Sequence, residues 1–161
     1  MRYELETVRL IADFQFGAGV GAALFPDSVV FELSSRTGWV RRVYHDGRLL
    51  ATLRPSDGML ALTLEGARRL RLALPADRLR VRVADEAVEF IKRGGDVFSK
   101  HVVQRDPQIV PREEVIVEDL RGELVAVGRA VISGLEMGLL KRGVAVKVRQ
   151  GILEEGAHAP E

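Results

Sequence analysis

Few residues of the 161-residue chain are of a type and spacing that would do chemistry. The three histidines, His45, His101 and His158, are far apart, and none shares metal-ligand spacing with another. Cysteine is absent, which excludes a disulfide framework, a thiolate metal site and a cysteine nucleophile. There is no Gly-x-Ser-x-Gly elbow and no phosphate loop closing on Gly-Lys-Ser/Thr. Gly17-Ala18-Gly19-Val20-Gly21 is spaced Gly-x-Gly-x-Gly and follows a helical pattern, so it reads as a loop and not as a dinucleotide cradle. Carboxylates are plentiful, yet they fall in turns, at helix starts and on charged faces. The expectation is therefore a chain with no catalytic residue, no metal site and no cofactor.

Charge is the remaining chemical resource. The 24 Lys and Arg nearly cancel the 23 Asp and Glu, but not evenly along the chain. Residues 1–77 carry net +1, residues 78–151 net +3, and residues 152–161 net −3. Arginine outnumbers lysine 20 to 4 and asparagine is missing. Loss of Asn and Cys is expected of a hot habitat, although genomic base composition produces the same bias. With 47% hydrophobic residues the chain is long enough to bury a core, and its balanced charge excludes disorder. No apolar run nears the roughly 20 residues of a membrane helix, so no membrane role is expected. The start, Met1-Arg2-Tyr3-Glu4, has no signal-peptide core, and a cytoplasmic location follows as the expectation.

The elements that must position these charges read as α+β, in two parts joined near Pro75-Ala76-Asp77. In residues 1–77, Leu5, Val8, Leu10, Ile11 and Phe14 have helical spacing, and the glycine run stops that helix. Strands follow at Val29–Leu33, Trp39–Tyr44, Arg48–Leu53 and Met59–Leu64, with an Asp46-Gly47 hairpin signal between the second and third. Glu65–Leu74 reads as a helix. In residues 78–151, Leu79, Val81 and Val83 alternate with Arg78, Arg80 and Arg82, which puts the arginines on an outer face. That face would meet either phosphates or the first part of the chain. Asp85 reads as the cap of a helix from Glu86 to about Arg93, stopped by Gly94-Gly95. Short strands at 97–103, 114–118, 124–132 and 144–149 point to a small barrel. Phe98 and Trp39 read as packing residues. Arg41-Arg42 and Arg68-Arg69-Arg71 read as solvated faces, and residues 152–161 as a flexible acidic tail.

The second part resembles a PUA domain, an RNA-binding module. The resemblance rests on the run from Val83 to Val103, on Asp106-Pro107 with Ile109-Val110-Pro111, on Glu114-Val115 and Val117, on Ala126–Ala130, and on Lys141–Arg149. In the first part, Ala12–Gly19 and Leu50–Gly58 resemble the small domain that precedes the PUA domain in archaeal archaeosine tRNA-guanine transglycosylase. The resemblance implies a PUA-type barrel with a short helix over residues 78–151, behind a small α+β domain over 1–77. It implies contact with RNA rather than DNA, through the helix, the following loop, the next strand and the closing strand. The residues so placed are Lys92, Arg93, Gly94, Gly95, Lys100, Lys141, Arg142, Gly143, Lys147 and Arg149. Cations would meet phosphates there, and glycine would let backbones approach closely. Lys92 and Arg93 would equally suit a plain helix end, where cations are favoured.

In that family the module holds the acceptor stem and 3′ end of tRNA, so tRNA is the implied partner. The family's catalytic aspartates and zinc cysteines have no counterpart, and its (β/α)8 barrel needs about 250 residues. The implied function is therefore a non-catalytic, tRNA-binding accessory to tRNA modification. Two alternatives stay open. One is a docking module or detached subunit that joins a catalytic tRNA-modifying subunit and binds little RNA alone. The other is a small RNA-modifying enzyme.

Overall fold

The computed structural model describes residues 2–155 and divides the chain between Leu74 and Pro75 into two compact units. In the first, α1 (Arg2–Phe16) buries Leu5, Val8, Ala12 and Phe16, one per turn on one stripe. Gly17 ends it, but the glycine run is not all loop. A second short helix, α2 (Val20–Leu24), follows. Gly21 is needed there because a Cβ would collide with the Arg9 carbonyl of α1, so the two helices touch backbone to backbone. The Asp13 carboxylate accepts the Gly21 amide at 2.7 Å and fixes the join.

Next comes an antiparallel meander of β1 (Val30–Leu33), β2 (Val40–His45), β3 (Arg48–Leu53) and β4 (Leu60–Leu62). Asp46 and Gly47 both have positive φ, 51° and 76°, as a type I′ hairpin requires. The closing helix α3 (Leu64–Ala73) is capped by the Thr63 hydroxyl, which accepts the Gly66 amide, and buries Leu64, Ala67 and Leu70.

The second unit is a six-stranded sheet. Its strands are β5 (Arg80–Val83), β6 (Val97–Phe98), β7 (Val102–Arg105), β8 (Glu114–Glu118), β9 (Leu124–Ala130) and β10 (Val144–Gly151), in the order β6-β10-β9-β8-β5-β7. The single strand expected over 97–103 is two strands. A 3-10 turn, Ser99–His101, separates them and sends them to opposite edges of the sheet. Because three residues join the two edges, the edges meet at that corner and the sheet curls into a nearly closed barrel. The interior is aliphatic: Val81, Val83, Val115, Val117, Val127 and Val146 are buried.

The helix α4 (Asp85–Lys92) packs on β9 and β10 through Ala87 and Ile91. Asp85 is not its cap. Ala84 holds that position without a side-chain bond, and Asp85 and Glu86 lie in the first turn, where the helix dipole favours them. Residues 152–154, expected as the start of a tail, form a 3-10 turn; residues 156–161, with His158, lie outside the described residues.

Candidate nucleic-acid interface

The predicted site residues gather around the end of α4 and the β6 edge. Gly94, at φ 101°, donates its amide to the Ile91 carbonyl, and the Gly95 amide reaches the Phe90 carbonyl. This paired closure is a Schellman end, and it needs glycine at the positive-φ position. Both glycines are enclosed by the chain's own side chains. The Glu154 carboxylate lies 2.6 Å from where a Gly94 Cβ would stand, and the Phe90 ring covers Gly95. Glu154 is fixed there by accepting the Gly151 amide at 2.9 Å.

Phe90 in turn faces Phe98, with ring centroids 6.4 Å apart and planes tilted by 30°. The packing role read for Phe98 is corrected: it is 36% exposed, and Phe90 is 55% exposed. Together they wall a cleft of about 250 Å³, completed by Glu86, Ala87, Lys100 and His101. His101 stands 3.9 Å from the Glu86 carboxylate. Phe90 and His101 were missed by sequence reasoning. The signal for Phe90 was available, since it precedes the buried Ile91 on a short helix and turns a large ring away from the core.

The loop before β10 is tied to this cleft through Ser99. The buried Ser99 donates its amide to the Gly143 carbonyl at 2.9 Å and accepts the Gly138 amide on its hydroxyl at 3.1 Å. Val144 pairs with Phe98. Lys141, Arg142 and Gly143 are thereby held beside the aromatic pair, all exposed, with Gly143 at φ 91°. Lys100 is exposed and Lys92 half-buried. Arg93 pairs with Glu89 at 2.9 Å, both well exposed, a contact of small energy that a phosphate would readily replace. Lys147 is exposed, 3.5 Å from Asp96, whose other oxygen accepts the Val148 amide.

Arg149 differs from the rest. It grips Glu114 with two bonds of 2.7 and 2.9 Å, and Glu114 is 1% exposed. Its charge neutralises a buried carboxylate.

The arginine face read on β5 is corrected at Arg80, which is not on an exposed face. Arg80 is 7% exposed and, with Arg82, binds Glu118. Arg78 bridges Asp106 at 2.8 Å and Glu113 at 3.1 Å. Burial alone would raise the Asp106 carboxyl, but the Leu79 and Gln108 amides and the Arg78 guanidinium outweigh it and hold the group below its ordinary value. Among the described residues no three His, Asp or Glu side chains gather as a metal site would require, and no helix is long and apolar enough to cross a membrane.

The curled sheet with its short helix is a fold shared with known proteins. The PUA domain family matches residues 79–152, and the patch-forming domain C2 of tRNA-guanine transglycosylase matches residues 6–77. A hypothetical protein of the hyperthermophilic archaeon Pyrococcus horikoshii superposes with a TM-score of 0.73 at 20% identity, covering 96% of each chain, which shows a common fold. The chain is thus a PUA-domain protein with a C2 domain ahead of the barrel. More particularly, it resembles the C-terminal region of archaeal tRNA-guanine(15) transglycosylases. It is 45% identical over 145 residues to that of Thermococcus kodakarensis and 45% over 148 residues to that of Pyrococcus furiosus. These alignments cover 90% and 92% of the chain but 25% of each relative, so the chain spans about a quarter of their length.

Proposed function

We propose that this chain binds tRNA through the cleft and rim of its second unit and serves tRNA modification without itself carrying the catalytic centre. The observation that carries the reading is the exposed Phe90–Phe98 pair with Lys100 in the same cleft. Unstacked bases at a single-stranded end stack on aromatic rings, and cations alongside take the adjoining phosphates. Lys92, Arg93, Lys141, Arg142 and Lys147 supply the rim. Gly94 and Gly95 shape it, and Arg149 holds the barrel beneath it. The 3′ end of tRNA offers unstacked bases beside the acceptor-stem duplex, and we assign that part to the cleft. Similarity to transglycosylases supports tRNA over other RNA.

The test is an equilibrium titration of tRNA with and without its 3′ single strand. Tighter binding of the intact form is expected, and equal binding of both would refute the cleft assignment. A second reading, docking onto a catalytic subunit, is favoured by the similarity to relatives named transglycosylases. It predicts that RNA binding by this chain stays weak until that subunit is added.

A further inference from the structure

A second group of cations borders strands β5 and β7, with Arg82 and Gln104 on one face and Arg105 opposite the interior residue Val81. The register sets Arg82 opposite Gln104 on β7 and beside Glu118 on β8. Arg82 donates Nε to Glu118 at 3.1 Å and Nη1 to the Gln104 side chain at 3.2 Å. Arg80 donates Nε to the other Glu118 oxygen at 3.0 Å. One buried carboxylate therefore holds two guanidinium groups. Arg105, next on β7, donates to the Gly134 and Leu135 carbonyls at 2.9 and 3.4 Å, and among the described residues it meets no carboxylate. Asp77, Arg80, Arg82, Gln104 and Arg105 border a groove of about 400 Å³. Three arginines and one acid, Asp77, border it; Arg80 and Arg82 share the buried Glu118 behind it, and the neutral Gln104 amide adds donors. Guanidinium groups present paired N–H donors that match phosphate geometry.

Strand β7 connects this groove with the cleft. Lys100 and His101 line the cleft, and Gln104 and Arg105 line the groove. Five residues from Lys100 to Arg105 span no more than about 16 Å. An RNA strand leaving the cleft along this edge reaches the groove within a few phosphates.

We propose that the β5–β7 groove is a phosphate subsite for the RNA strand whose bases enter the Phe90–Phe98 cleft. It rests on the RNA-binding reading above. The test uses the full chain with Gln104→Glu, which places a carboxylate beside Arg82, and Arg105→Gln, which removes the charge without a carboxylate partner. Arg105 also holds the 134–135 backbone, so Gln104→Glu keeps the test sound if Arg105→Gln fails to fold. Affinity for tRNA and its salt dependence are measured beside Phe98→Ala, and inorganic phosphate is titrated by calorimetry. Each groove variant should weaken tRNA binding about tenfold and flatten the plot of log affinity against log salt by about one unit.

If both groove variants bind tRNA as the parent does while Phe98→Ala binds weakly, the groove proposal fails and the cleft reading stands. If all three bind as the parent does, both fail. Phosphate binding that Arg105→Gln abolishes, with tRNA affinity unchanged, would make the groove a small-anion site and likewise overturn the proposal.

Discussion

Phe98 and Arg149 show how the roles of single residues separate. Phe98 contributes a ring at the surface, and stacking a base on it involves no ion release. Phe98→Ala should therefore weaken tRNA binding by about 1–3 kcal/mol, the usual range for base–aromatic stacking, with the salt slope unchanged. A tRNA titration at several salt concentrations measures both; an unchanged affinity would remove the ring from the site. Arg149 was expected among the RNA contacts, and its type and position gave no hint of anything else. Its partner Glu114 lies 35 residues away in sequence, so the buried carboxylate beneath it could not be read. Arg149→Ala removes two charge-assisted bonds from that buried carboxylate, and a stability loss on the order of 3 kcal/mol is expected in denaturant unfolding. Arg142→Ala, at an exposed position, should change stability by less than about 0.5 kcal/mol.

At the scale of elements, local signals were legible and non-local ones were not. Asp46-Gly47 specified its hairpin, and Gly94-Gly95 specified the end of α4, because both depend on backbone conformations that few residues adopt. The break in 97–103 was hidden, since Val97, Phe98, Val102 and Val103 all favour strand; the turn at Ser99 is fixed by bonds to Gly138 and Gly143, some 40 residues on. Likewise α2 was lost in a glycine run whose purpose is contact with α1.

Two predictions belong here. Gly94→Ala adds strain at φ 101° and presses on the Glu154 carboxylate, so it should cost more than Gly143→Ala, which meets nothing within 4 Å. Roughly 1–3 kcal/mol is expected for the first and about 1 for the second, read from unfolding midpoints. The second concerns acid. Asp106 ties the start of β5 through Leu79 and Arg78, and its carboxyl is held below the ordinary value. A depressed folded-state value gives stability that is present above the unfolded value of about 3.9 and is lost as pH falls through the folded one. Asp106→Asn should be less stable at neutral pH and should lose less stability on acidification than the parent. Parallel curves of stability against pH would contradict this.

At the scale of the whole molecule, balanced total charge conceals where the cations lie. Residues 78–151 carry net +3 while the chain carries +1, and the sequence alone showed that asymmetry. Which cations face outward, and which serve Glu114, Glu118 and Asp106, required the fold. The likeness to the transglycosylases covers a C2 domain and a PUA domain, about a quarter of their length. The central claim is that the cations around the cleft hold tRNA phosphates. The direct measurement is the slope of log affinity against log salt for tRNA, compared between the parent and a variant with Lys92, Lys100, Lys141, Arg142 and Lys147 all changed to Ala. Each phosphate contact contributes about 0.7–0.9 to that slope, so the variant should bind weakly with a slope flatter by about four units. An unchanged affinity and slope, in a variant that remains folded, would contradict the account.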